Sequence, residues 1–137
     1  MAQSDIEIAE ASYRRCAETP AFFATFYERL LACDPQIPPK FAHTDFERQH
    51  KLLEHAIGLL IIYAKRPNPA LLERIALRHS RHGVDVAPDM YRHFLEGLEQ
   101  ALAVHDPAYR PAVGAAWRTT LAPGIAYMQS RYEDLPA

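Results

Sequence analysis

The chain has only two cysteines, Cys16 and Cys33, and they form no CxxC pair. That excludes a zinc knuckle and a thioether cofactor-attachment motif, and leaves two free thiols as the plain reading. No block of basic residues exists. Fifteen lysines and arginines against 17 acidic residues give a formal net charge of −2, so no basic field is present to hold nucleic acid or a membrane surface. The longest apolar run, Ala56 to Ala64, is nine residues, too short to span a bilayer. There is no GxGxxG, hence no sign of a flavin or nicotinamide domain. The opening MAQSDIEIAE carries acids where a secretory leader needs a basic and then an apolar stretch. The expectation from these absences is a cytoplasmic protein. No alternating strand pattern, internal repeat or low-complexity segment is visible.

What is present is helical periodicity over almost all of the 137 residues. With 49% apolar and 23% charged residues, one globular domain over 1–137 with one core is expected. Small polar residues followed by proline mark the starts of elements. Thr19-Pro20, Asp34-Pro35, Asn68-Pro69 and Asp106-Pro107 each set a cap oxygen before a proline, and Ala87-Pro88 does so without the oxygen. Proline at the first helical position loses no hydrogen bond, because its missing N–H would have had no partner there. Thr44-Asp-Phe-Glu47 has capping-box spacing. These marks predict six helices, near Asp5 to Ala17, Pro20 to Cys33, Asp45 to Ala64, Pro69 to His82, Pro88 to His105 and Ala108 to Tyr132. Pro123-Gly124 predicts a kink or break in the last. The fold class is all-α.

Polar residues on apolar stripes carry the functional signal. In ALLERIALRHSRHGV, Ala70 to Val84, the apolar face runs Leu72, Ile75, then His79, an imidazole where a leucine would be expected. In the third helix Gln49 shares a stripe with Phe46, Leu53, Ile57 and Leu60. In the second, Tyr27 edges the stripe of Phe23, Phe26 and Leu30. A buried glutamine or tyrosine without a partner costs about 1–3 kcal/mol. Each residue alone has a plain reading: a satisfied core histidine, a half-exposed boundary glutamine, a tyrosine whose hydroxyl reaches water. Together they could line one polar spot in an apolar pocket.

Their order resembles the globin family, specifically bacterial single-domain haemoglobins and the globin domains of flavohaemoglobins and globin sensors. Phe26-Tyr27-Glu28-Arg29-Leu30-Leu31 is similar to that group's second-helix segment. Asp34-Pro35 through Phe41 resembles the following turn, and Gln49-His-Lys-Leu-Leu53 the distal-helix pattern. Ile75 through Val84 resembles the proximal IAxKHxxxGV segment, the most specific match. Tyr91 after Pro88, and Ala116-Trp117, resemble features of the last two helices. The resemblance implies a three-over-three globin fold and haem b, with His79 as the iron's proximal ligand and Phe41 wedging the haem. Tyr27 and Gln49 would be the distal hydrogen-bonding pair, with Leu53 beside them and Tyr91 supporting the proximal side. A backbone carbonyl or Tyr91 is expected to accept the proton on His79's second nitrogen. Phe41 to Gln49 is two positions shorter than the group's pattern, so His50, Lys51 and His55 compete for the distal register. His82 competes with His79, and His43 could approach the iron; His50 and His55 otherwise point away from the Gln49 stripe. His93 and His105 read as solvated. No glutamate stands clearly where flavohaemoglobins place one in the last helix; Tyr132 falls nearest, with Glu133 beside it.

Three functions are compatible with this pattern. One is reversible binding of O2, CO or NO as a carrier or sensor. A second is nitric oxide dioxygenase, which needs a separate reductase, since this chain shows no electron-transfer domain. The third is a haem-free interaction module of globin shape. The sequence leaves open a reductase partner or a homodimer.

Overall fold

A computed structural model describes residues 4–134. Its α-helices are α1 Asp5–Ala17, α2 Pro20–Cys33, α3 Phe46–Lys65, α4 Glu73–His79, α5 Tyr91–His105 and α6 Pro111–Ser130. Short 3-10 turns at Pro38–Phe41, Pro69–Leu71 and Pro88–Met90 occupy three connections, each opening on a proline. Among the described residues there is no strand, and no helix is long and apolar enough to cross a membrane.

Local chemistry explains most boundaries. Ser4 Oγ accepts from the Glu7 N–H at 3.1 Å while the Ser4 N–H donates to Glu7 Oε1 at 3.2 Å, a reciprocal cap on α1. Asp45, not Thr44, caps α3, its Oδ1 accepting from the N–H groups of Glu47 and Arg48. The expected capping box does not form, because with Asp45 as the cap the third helical position is Arg48, which cannot return the bond. The predicted fourth helix divides. Asn68 caps only the turn Pro69–Leu71, and α4 stops at His79 instead of His82. Pro107 opens no helix; α6 begins at Pro111.

α6 runs through Pro123 as one continuous helix, so of the predicted kink or break the break does not occur. Proline removes the hydrogen bond to the carbonyl four residues back. Here that residue is Thr119, which is exposed like Pro123 itself, so water can take the vacated carbonyl.

The helices lie three across three. α6 packs on α1, α3 and α4, and α2 packs on α5. One cluster of buried side chains joins them, with Phe22 and Phe26 from α2, Ile57 from α3, Leu98 from α5, and Trp117 and Leu121 from α6.

A buried carboxylate anchors α1 to this core. The Asp106 side chain has no exposed surface. It accepts from Arg15 Nε at 2.6 Å, Arg15 Nη2 at 2.9 Å, Ser12 Oγ at 2.6 Å and the Ala108 N–H at 2.9 Å. Asp106 therefore ties α1 to the α5–α6 turn. Burial pushes its pKa up, but the bonds from Arg15, Ser12 and Ala108 outweigh that and hold it below the ordinary value of 3.8. A lowered folded-state pKa contributes stability that is present above the unfolded value and lost as pH falls through the folded one. Asp106→Asn is expected to lower stability at neutral pH by about 2–4 kcal/mol, since it strands part of the Arg15 charge. In urea melts the variant should also lose part of the wild-type decline below about pH 4. An unchanged acid profile would show that this carboxylate does not carry the acid sensitivity.

Candidate functional site

α4 carries His79 as its last residue, partly buried. Leu72 and Ala76 are buried toward the core, and Ile75 is partly buried against it. His79 comes one turn after Ile75, and its Nδ1 lies 2.8 Å from the Ile75 carbonyl oxygen. A carbonyl can only accept, so Nδ1 carries the proton and Nε2 keeps its lone pair. Nε2 makes no hydrogen bond among the described residues. Burial pushes the imidazole's pKa down; the Ile75 carbonyl opposes this and the Arg78 charge adds to it, leaving the pKa below its ordinary value. The group is a neutral imidazole at neutral pH.

The loop after His79 is held from several directions. Ser80 Oγ donates to the Leu77 carbonyl at 2.7 Å, the Val84 N–H to the Arg78 carbonyl at 2.8 Å, and the Val86 N–H to the His79 carbonyl at 2.9 Å. Only glycine fits at 83, where a Cβ would sit 2.1 Å from the Arg78 oxygen. Asp85 takes a left-handed backbone, φ 57°. Lys40, beside Phe41, donates to the carbonyls of Val84 and Asp85 at 3.2 and 2.7 Å. From the far end of the chain the Tyr132 hydroxyl donates to the Asp85 carboxylate, and the Arg81 N–H donates to the Tyr132 carbonyl at 2.7 Å.

A second group gathers around Tyr27, which is buried on α2. Gln49 Nε2 of α3 donates to its hydroxyl at 3.1 Å. Phe41 and Phe46 meet the Tyr27 ring edge-on at 5.6 and 5.5 Å, and they stack on each other at 6.0 Å. His50 lies parallel to Tyr27, 5.6 Å between centroids at 8°. Leu53, one turn beyond Gln49, is buried. Burial raises the Tyr27 pKa to about 12 against the lowering effect of Gln49, so the phenol keeps its proton.

A family model for globins matches residues 24–128. The chain belongs to the globin family. A crystal structure from Pseudomonas aeruginosa PAO1, described as structurally highly homologous to a human hemoglobin, matches with a TM-score of 0.92 and 35% identity, covering 96% of this chain and 100% of that one. No curated protein matches.

Within this globin fold the structure brings together Tyr27, Phe41 and Gln49, with Leu53 on the same helix as Gln49. Of the rivals for the distal register, Lys51 and His55 are exposed. His50 corrects the expectation that it points away, since it faces Phe23, Tyr27 and Phe46. Neighbours on a helix differ by about 100° in direction, yet the broad Tyr27 ring spans both Gln49 and His50. His43 and His82 are exposed. Tyr91 is buried at the start of α5, with its pKa raised to about 12 by burial. His79 bonds the Ile75 carbonyl, and no hydrogen bond joins it to Tyr91. Tyr132 bonds Asp85, and Glu133 pairs with Arg81 at 3.2 Å; neither bonds His79.

Two histidines read as solvated are not. His105 is half-buried, with Nε2 2.7 Å from Thr25 Oγ1 and its ring edge-on to Phe22 at 6.4 Å. His93 is 8% exposed. The signal for His93 was Gly97, one turn on, which brings α2 close to that face of α5.

Proposed function

We propose that this globin binds haem b through His79 and takes up O2, CO or NO reversibly, as a carrier or sensor. The observation that carries the reading is the Nδ1 bond to the Ile75 carbonyl, which leaves the Nε2 lone pair free on a neutral, largely enclosed imidazole. An iron ligand must be deprotonated and oriented by its second nitrogen, and both conditions are met. Partly buried apolar side chains from several elements, Phe41, Phe46, Leu71, Ile75 and Phe94, pack on the core while keeping some surface open, as suits a large flat apolar ligand. Phe41 would wedge the haem, and Tyr91 would support the proximal side. The likeness to the Pseudomonas protein is further support.

Haem b held by His79 would supply an iron with one coordination position open to a diatomic gas. The chain supplies the polarity of that position. Because Gln49 donates to the Tyr27 oxygen, the Tyr27 proton is free to point elsewhere. It can donate to a ligand that carries partial negative charge, and Leu53 beside the pair helps to exclude water. O2 gains from such a donor more than CO does. His79 bonds a neutral carbonyl and no carboxylate, which favours reversible binding over nitric oxide dioxygenase chemistry with an external reductase.

Purified protein mixed with haemin, examined as ferric, reduced and CO-bound forms, tests the reading. Wild type is expected to take up one haem and bind CO, and His79→Ala to lose the normal spectrum. Failure of wild type to take up haem would favour the haem-free interaction module instead. The Tyr27→Phe variant is expected to release O2 roughly 10–100-fold faster, corresponding to about 1.5–3 kcal/mol for a hydrogen bond to a charged acceptor, with little change for CO. An unchanged O2 release rate would remove Tyr27 from the distal role.

A further inference from the structure

Away from the residues assigned to haem, the end of α2 meets the start of α5 in a cluster of unlike donors. Cys33 Sγ, a ring nitrogen of His93 and a carboxylate oxygen of Glu96 all lie within 4.8 Å of one another. Asp34 Oδ2 stands 3.7 Å from His93 Nε2. That is too long for a hydrogen bond. Both ring nitrogens of His93 are buried and without a hydrogen-bond partner. A buried imidazole with neither nitrogen satisfied is rare and calls for an explanation. Cys33 is half-buried, and its thiol is turned back on its own helix, donating to the Arg29 carbonyl at 3.2 Å.

We propose that Cys33, His93 and Glu96 form a binding site for one zinc-class divalent ion that clamps α2 to α5, with the nearby Asp34 carboxylate adding negative charge. The donor set decides the class. Thiolate and imidazole select zinc and its softer neighbours, whereas calcium and magnesium take oxygen donors. Burial disfavours a bare thiolate at Cys33, and the carboxylates of Glu96 and Asp34 add to this, so the thiol's pKa is raised. The same two carboxylates favour a cation. On binding, the thiol proton passes to solvent and the sulfur takes the ion as its counter-charge.

Bonds of about 2.0–2.3 Å in tetrahedral geometry need ligand atoms roughly 3.3–3.8 Å apart, so the cluster must contract slightly. Glu96 is exposed and Cys33 half-buried, and both side chains can rotate. His93 is fixed by packing. The site would therefore close around the imidazole.

The test is titration of the full chain with Zn2+ alone, followed by zinc K-edge absorption of the loaded protein. That edge reads the zinc shell whether or not haem is present, so the outcome is independent of the His79 assignment. One equivalent is expected to bind, with one sulfur near about 2.3 Å and nitrogen or oxygen near about 2.0 Å. Cys33→Ser should remove the sulfur and weaken binding at least about tenfold, and Glu96→Gln should weaken it too. His93→Gln could disturb packing, so the two more exposed variants decide. The proposal is overturned by an absence of binding, by a shell without sulfur (the mark of a surface histidine site), or by unchanged affinity in Cys33→Ser or Glu96→Gln.

Discussion

Gly97 lets the backbones of α2 and α5 touch. A Cβ there would lie 3.3 Å from the Leu30 nitrogen and 3.5 Å from both the Leu30 Cα and the Phe26 carbonyl oxygen. Backbone cannot swing aside as a side chain can, so a larger residue would have to push the helices apart. With the helices this close, Phe26 seats edge-on against Phe94 at 5.4 Å. The next residue, Tyr27, then turns toward α3 and finds Gln49. Further along α2, Cys33 and Asp34 come to rest against His93 and Glu96. One close crossing thus sets the Tyr27–Gln49 pair and the proposed ion site together.

His79 is positioned differently, by the loop on its C-terminal side. The helix carrying it is only seven residues long, so its own ladder gives limited rigidity. Lys40 from the turn before α3 and Tyr132 from the end of α6 both hold that loop. The imidazole is oriented by its own helix and steadied by segments remote in sequence. Its partner on the other nitrogen is a neutral carbonyl, so the chain supplies orientation and a lone pair without adding negative charge.

Local signals were legible in the sequence and tertiary ones were not. The start of α2 is marked by Pro20, which acts within one turn of chain, whereas at α3 the spacing pointed to Thr44 and the cap is Asp45. Tyr27, Gln49 and His79 stood out because helical periodicity placed polar atoms on apolar stripes, and Tyr27 and Gln49 do meet. The end of α4 was misread because Ser80 and Gly83 form a turn whose partners include the Arg78 carbonyl and, through Asp85, Tyr132. Asp106 read as a helix cap; its main partners, Ser12 and Arg15, lie more than ninety positions away. His93 read as solvated because residue type alone suggests water, whereas the Gly97 crossing buries it. Pro123 read as the place of a kink or a break; the helix continues through it because a solvent-facing position, unknown before α6 is docked, leaves the Thr119 carbonyl open to water.

His79 is the proposed protein ligand of the iron, and the rest of the functional reading depends on it. The most direct measurement replaces His79 with glycine, adds haemin, and titrates free imidazole while monitoring the spectra of the reduced and CO-bound forms. Ligation by His79 predicts that the variant alone gives an abnormal spectrum and that imidazole restores the wild-type one saturably, by filling the space the side chain left. A wild-type spectrum without imidazole would contradict it, and would return His79 to the role of a packed core histidine.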